Sequence, residues 1–209
     1  INWRPNSQKQ IDFLSSPAYE ILYGGAAGPG KTECLLMGAT RYINEPDYHA
    51  VIFRRSYPDI ERTLLPRSMR YFSGLAGWNG TQRCWTFKSG AKIRFCHLGT
   101  ENEVYNHNSS EYQYCGFDEL TEFTLFMYEF IKTRCRTTNP KIKLMVRSGS
   151  NPVGLGKQWV KRKFIEGKEP MKIYRDLVSK TTSQFIPAIL EDNPILMQAD
   201  SGYGSRLEG

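Results

Sequence analysis

No apolar run in this chain approaches the ~20 residues that a membrane-spanning helix needs, so no membrane partner is expected. Histidine is scarce: His49, His97 and His107 fall at no metal-ligand spacing and read as structural or surface residues. The five cysteines (Cys34, Cys84, Cys96, Cys115 and Cys135) are scattered, odd in number and without a C-x-x-C pair. That pattern excludes a zinc site and a disulfide framework and fits reduced thiols in a core. Low-complexity tracts and internal repeats are missing too. Acidic residues are the minority charge, 21 against 28 basic, for a net charge of +7. A polyanionic partner, nucleic acid first, suits that balance; so does an ordinary solvated surface.

What is present is enough to build a core. The 209 residues are 40% hydrophobic and 13% aromatic, the size of one large domain or two small ones. Strand-like and helix-like segments alternate, which predicts an α/β fold with a mostly parallel sheet. Strands are expected at 21–24, 50–53, 112–117, 143–147 and 173–179, and helices at 31–44, 58–72, 123–133 and 158–165. Ser56 is placed to cap the second of these helices, with Pro58 in its first turn and Pro66 bending or splitting it. Residues 84–88 and 91–95 alternate apolar and polar around Ser89-Gly90, a hairpin pattern. The tail from Ala188 reads as a small helical cap or linker.

Chemistry concentrates first in Gly25-Ala26-Ala27-Gly28-Pro29-Gly30-Lys31-Thr32, which spells G-x-x-x-x-G-K-T between a short apolar strand and a helix. The glycines let backbone N–H groups turn around phosphate oxygens, and the following helix N-terminus adds partial positive charge. Lys31 is then the partner of the β- and γ-phosphates, and the Thr32 hydroxyl a ligand of Mg²⁺. Pro29 stiffens the loop. A second group, Asp118 and Glu119, follows the apolar run Gln113–Phe117, which puts adjacent acids at the end of a strand neighbouring the loop. Asp118 suits the Mg²⁺ shell, and Glu119 suits polarising a water for attack on the γ-phosphate. Ser150-Asn151-Pro152 follows another strand; Ser150 and Asn151 suit sensing the γ-phosphate and relaying its loss, while an ordinary Asn-Pro turn explains them equally. Gln10 precedes the first strand, where an amide can read an adenine edge. Phosphoryl transfer also benefits from an arginine. Positions 26 and 27 are alanine, so the loop supplies none. Arg134 is the leading candidate and Arg136 the next, acting within the chain or from a neighbouring subunit, with Arg54 and Arg55 as further options. Lys157, Lys161, Arg162 and Lys163 share a predicted helix and suit either DNA phosphates or solvent.

These stretches together resemble the large terminase subunit of tailed double-stranded DNA bacteriophages. The resemblance runs through Lys9–Leu14, Tyr23–Thr32, Phe53–Ile60, Glu111–Thr121, Ser150-Asn151-Pro152 with Gly154, Gly156, Trp159, Val160 and Phe164, and the tail segments Phe185–Ala188 and Asp192-Asn193-Pro194. It implies an additional-strand (ASCE) P-loop NTPase whose parallel sheet is flanked by helices. It further implies an ATPase domain over 1–187, a small lid or linker over 188–209, and a nuclease domain not represented in the sequence. Implied ligands are ATP and Mg²⁺. Implied partners are double-stranded DNA, further copies of the chain in a ring, a portal protein and a small terminase subunit, in the host cell cytoplasm. The function so implied is an ATP-driven motor that moves viral DNA into a procapsid. Gln10 takes adenine recognition, Lys31 and Thr32 the phosphates and Mg²⁺, Asp118 and Glu119 the metal and water, and Ser150 and Asn151 the coupling to motion. A helicase-like ATPase and a nucleotide-switched assembly module are the alternatives.

Overall fold

In the computed structural model, residues 1–25, 28, 30–189 and 192 are described. Ala26, Ala27 and Pro29 of the glycine loop, and most of the expected 188–209 segment, lie outside them. The strands are β1 (Glu20–Gly25), β2 (His49–Arg54), β3 (Ala76–Asn79), β4 (Cys84–Phe87), β5 (Lys92–His97), β6 (Tyr114–Asp118), β7 (Met145–Ser150), β8 (Ile173–Arg175) and β9 (Thr182–Ala188). They form one sheet of nine among the described residues, in the order β3-β4-β5-β2-β6-β7-β1-β9-β8. The six inner strands, β5 to β9 in that order, pair in parallel; β3 and β4 on one edge and β8 on the other are antiparallel additions.

Parallel strands covered on both faces should read as continuous apolar runs, and they do: Ala50 to Phe53 and Tyr114 to Phe117 are all buried. Alternate residues feed two cores. Val51, Phe53, Cys115 and Phe117 pack with Phe123, Tyr128, Val160 and Phe164. Ile52, Ile93, Phe95 and Tyr114 pack with Leu36, Ile60, Leu64 and Phe72 on the opposite face. Each such side chain withdrawn from water contributes roughly 1.5–3 kcal/mol.

The helices are α1 (Gln8–Ser15), α2 (Lys31–Gly38), α3 (Tyr57–Asp59), α4 (Leu65–Phe72), α5 (Leu125–Lys132) and α6 (Lys157–Phe164). Ser56 caps α3 as expected, accepting from the Asp59 N–H at 3.3 Å. The predicted 58–72 helix is split, as Pro66 requires: a single π-turn over Ile60–Leu64, closed by Leu65 N–H to Ile60 O, precedes α4. Helix α2 stops at Gly38 rather than Asn44, where the Thr40 hydroxyl donates to Met37 O at 2.7 Å. Three features differ from the sequence reading. The segment 8–15 is helical, opened by Ser7 accepting from Gln10 N–H. The expected last strand ends at Arg175, and the chain turns back to form β9 along β1. Finally, β7 runs from Met145 to Ser150 rather than over 143–147, and it lies between β1 and β6. The acidic strand is therefore not the immediate neighbour of the loop's strand; β7 is inserted between them.

Candidate active site

Strand β1 ends at Gly25, where φ is +139° and an added Cβ would lie 2.0 Å from Ala188 O of β9. Only glycine lets the chain leave the sheet there. The loop closes at Gly30, whose left-handed φ of +78° forms the N-cap of α2. Helix α2 thus begins on Lys31, with its N–H groups directed at the loop. Burial lowers the Lys31 pKa, against the pull of Glu119 and Asp118, which raise it. Its Nζ donates to Asn151 Oδ1 at 2.8 Å. An added Cβ on Gly30 would lie 2.6 Å from Gln10 Nε2, so α1 seats the glutamine amide against the loop.

Asp118 ends β6 and is 1% exposed. The Thr32 hydroxyl lies 3.1 and 3.2 Å from its two carboxylate oxygens. Hydroxyl and carboxylate oxygens side by side suit a hard divalent cation such as Mg²⁺. Burial pushes the Asp118 carboxyl up to about 6, partly offset by the Arg54 guanidinium. Arg54 Nε stands 3.2 Å from Asp118 Oδ2 at ion-pair distance, without the alignment of a hydrogen bond.

Glu119 has φ +60° and ψ +62°, a left-handed conformation that costs a non-glycine residue roughly 1–2 kcal/mol. The kink turns its carboxylate back to β7, where the Asn151 N–H donates at 3.2 Å and the Asn151 side-chain amide at 3.4 Å. Asn151 therefore bridges Lys31 and Glu119. Ser150 is bonded elsewhere: it accepts from the Thr121 N–H at 3.1 Å and sits 2.8 Å from the Thr121 hydroxyl. It ties the end of β7 to the turn after Glu119.

Gln10, Gly28, Gly30, Lys31, Thr32, Glu119 and Asn151 share one cavity of about 760 Å³. Trp3, Arg4, Arg67, Arg70 and Tyr71 are among its other lining residues, none of them marked by the sequence reading. No local pattern marks them: α4 reaches the cavity by packing over α2, where Arg67 Nε meets Glu33 Oε1 at 2.8 Å.

The other arginines lie apart. Arg134 and Arg136 flank Cys135, which bridges Tyr112 just before β6, while Asp118 ends that strand six residues on, roughly 20 Å away at ~3.3 Å per residue. Arg134 Nη1 donates to Asn108 O at 2.7 Å, and Arg136 pairs with Glu111 at 3.2 Å. Neither reaches the phosphate loop of its own chain. Arg55 is committed to Leu98 O at 2.8 Å. In the α6 cluster, Lys163 pairs with Glu20 and Glu129 at 3.1 Å each, and Lys161 pairs with Glu166 at 3.6 Å. Half of that cluster is thus already neutralised.

The family model for the N-terminal region of the terminase large subunit, T4likevirus-type, matches residues 22–203. Among solved structures, the large terminase of a thermophilic bacteriophage in complex with ATP-gamma-S superposes with a TM-score of 0.67 at 19% identity, covering 95% of this chain and 49% of that one. The chain thus spans about half the length of that terminase. The ATPase domain of the Thermus phage P74-26 large terminase gives 0.62 at 13% identity, covering 100% and 92%. The N-terminal domain of the DNA packaging ATPase from bacteriophage phi29 gives 0.54 at 12%, covering 88% and 95%. At these identities the likeness is one of fold, that of the additional-strand P-loop ATPase domain. No curated protein matches the sequence.

Proposed function

This chain belongs to the N-terminal family of T4likevirus-type terminase large subunits, and from that premise we propose that it hydrolyses ATP to drive double-stranded viral DNA into a procapsid. The observation that carries the reading is two bonded groups of residues brought together at the ends of β1, β6 and β7. Thr32 meets Asp118, Lys31 meets Asn151, and Asn151 meets Glu119, all around a glycine loop.

In this reading Gln10 holds the adenine edge. The loop amides and Lys31 take the phosphates. Thr32 and Asp118 would hold Mg²⁺, which when bound neutralises charge on the β- and γ-oxygens. Glu119 orients the water that attacks the γ-phosphorus. Asn151 holds both Lys31 and Glu119, so loss of the γ-phosphate from Lys31 alters the position of the general base and of β7. Ser150 passes that change to the turn at Thr121. A ring of copies, a portal protein, a small terminase subunit and action in the host cytoplasm belong to the same proposal.

The test is ATP turnover against protein concentration, with Glu119→Gln as control. Hydrolysis by the parent that Glu119→Gln abolishes while still binding ATP supports the reading. Equal turnover by the two proteins refutes Glu119's role. Specific activity that rises with concentration means subunits complete one another's sites. Strand separation without translocation of duplex would favour a helicase-like motor instead.

A further inference from the structure

We propose that Arg67 is the arginine that this chain delivers to the phosphates of its own bound nucleotide, held on Glu33 until the nucleotide arrives. The proposal rests on the ATPase reading above and adds a catalytic residue to it. The phosphate loop holds no arginine of its own, and the Arg134–Arg136 pair lies at the wrong end of β6. Of the described arginines, Arg54 is paired with Asp118 and Arg55 with Leu98 O. Arg4, Arg67 and Arg70 line the cavity that contains Lys31, Thr32 and Glu119. Of these three, Arg67 is half-buried and anchored, while Arg4 and Arg70 are exposed.

The anchoring is specific. Arg67 follows Pro66 in the first turn of α4, directly after the π-turn, a feature often found at functional sites. Its Nη1 donates to Thr63 O at 2.9 Å and its Nε to Glu33 Oε1 at 2.8 Å, while Nη2 meets no acceptor among the described residues. Glu33 lies in the first turn of α2, next to Thr32, so the pair is fixed relative to the phosphate-binding residues.

In the reaction, the water oxygen forms a bond to the γ-phosphorus as the bond to the β–γ bridging oxygen breaks. ADP leaves, and the water's proton ends on the released phosphate. Negative charge builds on the bridging and γ-oxygens as this happens. A planar guanidinium with a free edge matches that charge. An incoming phosphate competes with Glu33 for Arg67, so the arginine exchanges one anionic partner for another without being buried unpaired.

The experiment measures ATP and ADP affinity by fluorescent-nucleotide titration, and turnover, for Arg67→Ala, Arg67→Lys and Glu33→Gln, with thermal melts to establish folding. Arg67→Ala should lose about tenfold or more in ATP affinity, the value of one charge-assisted bond, with ADP affected less. Its kcat should fall about 10²-fold or more. Arg67→Lys should recover part of both. Glu33→Gln should bind ATP at least as tightly as the parent, because it frees the arginine. A purely structural ion pair predicts the opposite: both variants equally damaged, and ATP and ADP weakened alike. Mixing Arg67→Ala with Glu119→Gln separates cis from trans: recovered turnover would mean Arg67 serves a neighbouring subunit and would overturn the proposal. A parent that binds ATP without hydrolysing it refutes the ATPase reading, while the affinity comparison still decides Arg67. Unchanged ATP affinity and turnover in Arg67→Ala would sink the proposal with the ATPase reading intact.

Discussion

Glu119 supplies a test in which the backbone and the chemistry of one residue separate. Its left-handed φ of +60° costs roughly 1–2 kcal/mol relative to glycine. At an ordinary position glycine is less stable than alanine by roughly 0.5–1 kcal/mol, because the unfolded chain gains freedom. Glu119→Ala and Glu119→Gly both remove the carboxylate, its bonds to Asn151 and its repulsion of Asp118, so those contributions cancel in the comparison. What remains is strain relief less glycine entropy. Glu119→Gly should therefore exceed Glu119→Ala by about 0–1.5 kcal/mol, centred near ~0.75 kcal/mol. In a chain of this size that is up to about 6 °C in Tm. Urea denaturation of the two variants reads the difference directly, and phosphate release under saturating ATP should be lost in both. If Glu119→Ala is the more stable, as at an unstrained site, the kink is not the strained element that the geometry describes. If either variant hydrolyses ATP at the parent rate, the carboxylate is not the group that orients water.

Three further outcomes follow from other parts of the molecule. Gly25→Ala should lower stability by roughly 2 kcal/mol or more and weaken nucleotide binding, since its Cβ would lie 2.0 Å from Ala188 O; an unchanged melting curve would contradict the close approach of β1 and β9. Glu20, 2% exposed, accepts from Tyr128 Oη at 2.7 Å and pairs with Lys163 and Lys132 at 3.1 and 3.5 Å. Glu20→Ala should cost about 3 kcal/mol, the low end for a broken buried network because both lysines keep some water, with denaturant titration as the check. Burial, helped by the charges of Arg94 and His97, lowers His107 from 6.5 to about 4. Between those values the unfolded chain takes up a proton that the native one refuses, so stability falls as pH drops through the window, by up to ~3 kcal/mol. His107→Gln should flatten that part of the pH–stability curve, and parallel curves for the two proteins would refute it.

The residues of the site were more legible than its construction. Strand and helix around Lys31, and the acids after an apolar run, are local patterns with local causes, and β1, α2 and β6 form where those patterns lie, although β6 is not the strand next to β1. The place of β7 is not local. Its apolar pattern stops at Val146, but pairing continues through Gly149, opposite both Tyr23 and Asp118, and on to Ser150. Small and polar residues extend the strand there because both neighbours supply backbone partners, which no periodicity reveals. Strand β3, Ala76–Asn79, went unread for a similar reason: it contains a glycine, alternates half-buried with exposed residues, and owes its shape to pairing with β4. Arg67 was invisible for a third reason. Its partner Glu33 is 34 residues away, and only the packing of α4 over α2 brings the two to one cavity.

The insertion of β7 between β1 and β6 also places Asn151, at the end of β7, between Lys31 and Glu119. With β7 between them, the neutral amide of Asn151 accepts from Lys31 through its oxygen and donates to Glu119 through its nitrogen. Both charged groups are thus bonded to one side chain. Lys31 is thereby bonded to a residue that directly follows a central strand. Ser150, one position earlier, grips Thr121 in the turn that begins with Glu119's kink. The end of β7 is thus fixed on two sides, by Asn151 to Lys31 and Glu119 and by Ser150 to Thr121.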